Sequence, residues 1–321
     1  MFTTARADRV SRVMYPPDAW ASDIAVSAAL ALFAAYLEFQ PPFERNLVSE
    51  TLHRVSFPHT GEQTFPTWTL PFLGVFIPLG IIFVASLAKS GYDRTRKGRE
   101  TKRAVVGLLL AVTLGFAATN ALKNSVGAFR PDFKNRCWPG EAVVRWDFPG
   151  VPRCSADHDP RLVSEGRKSF PSGHASIAFS GLSFAAAVVA KRLGIGGQDV
   201  KQTRNKRNKT KIYNNAAWHL VATVSPLALA AWVSVSRVTD YMHHVEDVGG
   251  GAVIGIVSAV AAWVAKNPFR EEEGGDDVAK KTVAKKPARV NKHTPTAAAT
   301  RPRRRRGSDS TEDHAPAGTR R

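Results

Sequence analysis

The stretch from Ser236 to Asp247, SRVTDYMHHVED, closes one long apolar segment and opens another, and it sets an arginine, two histidines and three acids at the junction. His243 and Asp247 are four residues apart, one helical turn. A carboxylate at that spacing can accept the imidazole N–H, fix the tautomer and leave the other ring nitrogen free to attack. An aspartate at the mouth of an apolar segment is costly unless it works, which favours a functional role. His244 and Glu246 offer a competing pair, and only the spacing to Arg237 and Asp247 selects His243.

Outward from this junction the chain divides into two populations. Net charge +18, pI near 10.3 and mean hydropathy −0.19 would by themselves suit a soluble nucleic-acid binder. Six windows exclude that class, because each is apolar over a length suited to a hydrocarbon core of about 30 Å. They are Ile24 to Tyr36 with its flanks, Leu70 to Ala88, Ala104 to Leu122, Ala175 to Ala190, Ala216 to Val235 and Val248 to Ala265. The expected fold is all-α, a polytopic membrane protein with six transmembrane helices.

Lys and Arg concentrate in Lys89 to Arg103, Lys191 to Lys211 and Lys266 to Arg321, the connections expected to face the cytoplasm. Both termini then lie there too, with residues 1–20 as a cytoplasmic lead-in, 21–266 as the six-span domain and 267–321 as a basic tail. The first window comes late and lacks a small-residue cleavage site, so it reads as a retained signal anchor. The tail has hardly any large apolar residue and should be disordered. Its RPRRRRGSDS can attract anionic lipid or take phosphate at Ser308 or Ser310. Nucleic acid is not an expected partner, and nothing fixes an oligomeric state or tells plasma membrane from endomembrane.

Two further stretches carry chemistry. In Lys123 to Pro131, KNSVGAFRP, the two cations lie two turns apart and would share a helix face that Pro131 ends. The plain alternative is a pair of snorkelling anchors. In Phe170 to His174, FPSGH, Pro171 fits a first helical turn and Ser172 or Ser169 can cap it, so a helix N-terminus would present free N–H groups to an anion. Gly173 would let the backbone approach closely, Ser172 offers a hydroxyl, and His174 could exchange a proton with a leaving group. A capped helix with an interfacial histidine is the alternative. By the Lys and Arg count all three stretches fall on the non-cytoplasmic side, as one site requires.

Cys137 and Cys154 lie on that same oxidising side, where a disulfide is allowed and two free thiols remain the other option. Gly251 and Gly255 should pack the sixth span against a neighbour. Trp218, Trp232 and Trp263 read as interfacial anchors. Asn208-Lys209-Thr210 matches a glycosylation acceptor, on the side where it would go unused.

Together the stretches have the form K-x6-R-P, P-S-G-H and S-R-x5-H-x3-D, and at this point the chain resembles the type 2 phosphatidic acid phosphatase superfamily, in its lipid phosphate phosphatase branch. RPDFKNRC from Arg130, EGRKSF ahead of Pro171 and DYMHH after Thr239 are similar to lipid phosphatases and fungal diacylglycerol pyrophosphate phosphatases. FPSGH is closer to fungal and plant members than to animal ones. The resemblance covers about Ile24 to Ala265 and implies a helical-bundle core of the acid phosphatase and vanadium haloperoxidase type.

It further implies a phosphohistidine on His243, with Asp247 orienting it and His174 protonating the departing lipid alkoxide. Lys123, Arg130, Arg237, Ser172 and the Gly173 N–H would hold the phosphoryl oxygens, and three fixed cations imply no need for Mg²⁺ or any other cofactor. The substrates implied are phosphatidate, lysophosphatidate or diacylglycerol pyrophosphate. Polyprenyl pyrophosphates and sphingoid phosphates present the same terminal group. Vanadium haloperoxidases share the motifs but are soluble, so vanadate should inhibit here, and an inactive lipid-phosphate-binding relative would be expected to have lost a motif residue.

Overall fold

A computed structural model of the chain describes residues 19–87, 94–141, 144–148, 150–195 and 216–266. The expectations for the basic tail and for Asn208 lie outside those residues. The described helices are α1 (Ala19–Glu38), α2 (Ile77–Leu87), α3 (Arg94–Val126), α4 (Phe133–Cys137), α5 (Pro160–Gly166), α6 (Gly173–Leu193), α7 (Ala216–Thr239) and α8 (Val245–Lys266). A 3₁₀ helix spans Ser49–Val55, a π-helical turn at Phe72–Phe76 leads into α2, and Trp146–Phe148 pairs antiparallel with Val151–Pro152.

Six helical segments are long and apolar enough to cross a membrane: Trp20–Glu38, Thr67–Leu87, Lys97–Val126, Gly173–Leu193, Ala217–Thr239 and Val245–Lys266. This is a helical integral membrane protein. The fourth span, α6, is the axis of the bundle, with 78% of its apolar window buried against 11% for the first. It packs against the second, third, fifth and sixth spans, while the first leans chiefly on the third. Side chains such as Leu32, Phe33, Phe83, Val253 and Val264 are exposed around the outside, as helices bathed in lipid require.

Small residues let the sixth span reach the fourth. A Cβ on Gly251 would lie 2.4 Å from the Ser172 carbonyl oxygen, and one on Gly255 would lie 2.5 Å from that of Ser176. The two glycines therefore do pack α8 within the chain, against α6. Polar threads bind other pairs: Thr119 Oγ1 donates to Ser176 Oγ at 2.7 Å, and Asn120 Nδ2 donates to the Ala34 carbonyl at 2.9 Å. Lys266 pairs with Asp23, linking the sixth span to the first. Trp218 and Trp232 are exposed, whereas Trp263 sits edge-on against Phe184 and packs on the core.

Four helix boundaries depart from the sequence reading. The third span does not start at Ala104: helix continues back to Arg94, because Lys and Arg are good helix formers and only hydropathy marks the membrane limit. At its other end it stops at Val126, where Gly127 adopts φ +59°, and a Cβ there would lie 2.0 Å from the Phe43 carbonyl oxygen. Arg130 is thus in the loop beyond the helix, and Pro131 does not end it. Pro171 stands ahead of the first turn of α6, and neither Ser172 nor Ser169 caps that helix with its side chain. His243 precedes α8, so it and Asp247 do not share a helix.

The third connection folds as a small outer unit around Phe129, Phe133 and Trp138. Cys137 and Cys154 are joined in a disulfide with Cα atoms 4.5 Å apart. Beside it, Asp132 is fully buried and accepts from Arg136 Nε and Nη2, both at 2.8 Å. These ion pairs and the His59 contact hold its carboxyl below the usual range, although burial alone would raise it.

Candidate active site

Three helix ends and the two turns beside them converge. Lys123, in the last turn of α3, is buried, and its Nζ lies 3.4 Å from where a Cβ on Gly173 would stand. The cation thus faces the first residue of α6, where helix N–H groups and dipole are also positive. Arg130 reaches in from the loop, its backbone N–H bonded to the Gly166 carbonyl at 2.8 Å and its Nη2 3.2 Å from Glu165 Oε2. Glu165 stays ionised beside Arg130, Lys123 and Lys168, which outweigh the burial that would neutralise it. Arg237, in the last turn of α7, is almost fully buried and interacts electrostatically with His174 and Arg130.

Five polar atoms at this convergence lack protein partners. Arg130 Nε, Ser172 Oγ, His174 Nε2, Arg237 Nε and His243 Nδ1 are all buried without a hydrogen bond. An orphaned buried polar atom costs about 1–3 kcal/mol, so a cluster of them marks a place for a ligand. Most are donors, and Lys123 adds a third cation, so the ligand that fits is an oxyanion. A cavity of about 330 Å³ borders the cluster at His243, lined also by His53, Arg54, Phe57, Tyr241 and His244. None of the other cluster residues lines it, so it adjoins the anion cradle.

Asp247 is held differently from the sequence expectation. Its Oδ2 accepts from the Ser169 hydroxyl at 2.6 Å and from the His244 backbone N–H at 2.9 Å, while His243 Nδ1 is 3.8 Å away, an ion-pair distance. The turn that carries His243 explains this: its N–H and that of Met242 both donate to the Arg237 carbonyl, and Tyr241 takes φ +54°. His243 is therefore set by the end of α7, and Asp247 by the start of α8. The Ser172 N–H donates to the Asp247 carbonyl at 2.9 Å, stitching the cradle to that start.

The neighbouring histidines are driven apart. Burial, aided by Arg130 and Lys123, pushes His243 down to about 4 despite Asp247. Its imidazole is neutral near pH 7. His244 is raised, because Asp247 and the Arg54 carbonyl outweigh its partial burial, and its Nε2 lies 3.1 Å from that carbonyl. Of the pair, only His243 combines burial, a neutral ring and contact with the cradle.

The structure thus brings Lys123, Arg130, Ser172, Gly173, His174, Arg237, His243 and Asp247 into one locality. Sequence reasoning did not find the segment Gln63–Phe65, whose atoms contact Arg237 and Asp240, nor the grip of Ser169 on Asp247. Glu165 was legible only as part of EGRKSF.

A sequence profile described as the PAP2 superfamily matches residues 104–271, more than half of the chain. This chain belongs to the PAP2 superfamily. It is a membrane phosphatase. Among its relatives, a probable diacylglycerol pyrophosphate phosphatase 1 of Schizosaccharomyces pombe is 32% identical over 75% of this chain and 79% of its own length. Lipid phosphate phosphatase 2 of Arabidopsis thaliana is 32% identical over 70% of this chain and 69% of its own. Diacylglycerol pyrophosphate phosphatase 1 of Saccharomyces cerevisiae is 29% identical over 69% and 70%. No solved structure matches the chain.

Proposed function

We propose that this phosphatase hydrolyses the terminal phosphate of a glycerolipid, phosphatidate, lysophosphatidate or diacylglycerol pyrophosphate, through a phosphohistidine. The observation that carries the reading is the cluster of partnerless buried polar atoms around a neutral His243. Nε2 of His243 attacks phosphorus while the bond to the bridging oxygen breaks, and His174 gives the departing oxygen its proton. That oxygen is an alkoxide from phosphatidate or lysophosphatidate and belongs to the inner phosphate of diacylglycerol pyrophosphate. Water then attacks the phosphohistidine and gives a proton to His174, which releases inorganic phosphate and restores both imidazoles. Asp247 stabilises the charge that His243 acquires. Lys123, Arg130, Arg237, Ser172 and the Gly173 N–H hold the oxygens on which charge grows, a preorganised field worth most where water is excluded.

Three fixed cations take the role that a divalent ion has in other phosphoryl transfers, so the reaction runs without Mg²⁺. The clustering of Lys and Arg in the alternate connections supports a site on the non-cytoplasmic face, with both termini cytoplasmic. The relatives' names and the RPDF and RC resemblance favour glycerolipids over polyprenyl or sphingoid substrates. The test is phosphate release from phosphatidate in detergent micelles with excess EDTA, for the intact chain and His243→Ala. Release that requires His243 but no metal is expected. Equal release from the variant would remove His243 from the reaction.

A further inference from the structure

The loop between the first two spans crosses the site and grips its most buried cation. Arg237 Nη1 donates to the Phe65 carbonyl and Arg237 Nη2 to Gln63 Oε1, both at 2.9 Å. Between those two residues, the Thr64 N–H and hydroxyl donate to Asp240 Oδ2 and Oδ1, again at 2.9 Å. Asp240 in turn lies 3.5 Å from Arg237 Nη1. Three consecutive loop residues thus hold the guanidinium and the one carboxylate of its own helix end that pairs with it. Arg237 Nε is left buried without a partner.

The same loop is fastened elsewhere. The Phe57 N–H donates to the Pro131 carbonyl at 3.0 Å, Asn135 Nδ2 donates to the Phe57 carbonyl at 2.9 Å, and the Phe57 ring stacks on Tyr241 at 5.0 Å. Residues 63–65 therefore have a fixed base from which to hold Arg237. They also lie outside the stretch that matches the superfamily.

We propose that Gln63 is a positioning residue for anion binding: it aligns the Arg237 guanidinium with its free N–H toward the phosphoryl group, and it does so without cancelling the charge. The second half follows from chemistry. A glutamate at this position would bond the same nitrogen more strongly, but it would bring a negative charge into the cradle and neutralise the cation that the oxyanion needs. A neutral amide oxygen is the acceptor that orients without competing. The inference rests on the reading of Arg237 as a phosphate ligand.

The test uses the full-length protein in detergent micelles, with phosphatidate hydrolysis as reporter and orthovanadate as probe of the cradle. Gln63→Met keeps shape and removes the acceptor; Gln63→Glu keeps the acceptor and adds charge. We expect the vanadate inhibition constant to rise about fivefold for Gln63→Met, the loss of one neutral hydrogen bond. For Gln63→Glu it should rise by about tenfold or more, with a melting temperature no lower than that of Gln63→Met. In an Arg237→Lys background Gln63→Met should not move it by more than about twofold, because an ammonium has no planar fork to align, whereas Gln63→Glu still brings its charge into the cradle.

Inhibition constants within twofold of the parent for both variants would overturn the proposal, as would an equal Gln63→Met shift with Arg237 and with lysine. Should Gln63→Met fail to fold, Gln63→Leu, which also removes the acceptor without adding charge, decides by the same comparison. Loss of hydrolysis in His243→Ala alongside unmoved Gln63 variants sinks this inference alone; hydrolysis that survives His243→Ala sinks the proposed mechanism itself.

Discussion

The stretch from Ser236 to Asp247 and the loop from Ser49 to Pro66 meet across one site, yet they are written in different languages. The first supplies charged and nucleophilic groups at fixed spacing on the ends of two helices. The second supplies two carbonyls, an amide, a hydroxyl, the Phe57 ring and the Arg54 guanidinium, at no regular spacing, and reaches Arg237, Asp240, Tyr241, His244 and Glu246. The contrast teaches that a site's chemistry can be concentrated in short motifs while its alignment is distributed through backbone groups that no residue type announces.

The largest expected effect breaks the comparison within the motif itself. His243→Ala should lower phosphate release by about 10³-fold or more, and His244→Ala by no more than about tenfold, since the His244 backbone N–H still holds Asp247 and only the ring contact at 3.4 Å is lost. Single-turnover release from labelled phosphatidate would separate them, and comparable losses would show that the two rings share one role.

The outer unit offers a test of pure scaffolding. Cys137→Ser combined with Cys154→Ser opens a loop with a sequence separation of 17 and should cost about 3 kcal/mol of stability. Thermal melts in detergent, with and without reductant on the parent, would check it; unchanged midpoints would make the bridge irrelevant to folding. Smaller still, Ser169→Ala removes one donor to Asp247 and should reduce kcat about tenfold with little change in KM. A rise in KM alone would place Ser169 with substrate binding.

The gentlest probe is pH. His243 has its folded value below the ordinary 6.5, at about 4, so the unfolded chain binds the extra proton first as pH falls. This contribution to stability is complete above about 6.5 and is lost between there and about 4. The nucleophile's limb of kcat/KM should fall off only near pH 4 for the same reason. His244 works in the opposite sense: raised above 6.5, it adds stability at low pH that is lost as pH climbs through its folded value. Melts of His243→Phe and His244→Phe between pH 4 and 8 should show opposite changes in slope.

Much of this was legible in the sequence. Six apolar windows survive averaging because lipid imposes length and hydropathy on every span, and the three stretches sit where those windows end. Boundaries were less legible. Arg94 to Arg103 is as helical as the apolar turns that follow, so charge marked the membrane limit rather than the helix limit. The four-residue spacing of His243 and Asp247 suggested a helical pair, but Tyr241 at positive φ and the shared Arg237 carbonyl place His243 before the helix. Gln63 was invisible because its role depends on a contact 174 residues away, which a linear pattern cannot encode.

The two glycines that seat α8 on α6 have a mechanical consequence. With no side chain between the backbones, and with the Ser172 N–H tied to the Asp247 carbonyl, the α6 end of the cradle and the Asp247 carboxylate belong to one stiff wedge. Lys123, Arg130 and Arg237 reach that wedge from α3, the loop beyond α3 and α7, so their alignment is fixed separately from it.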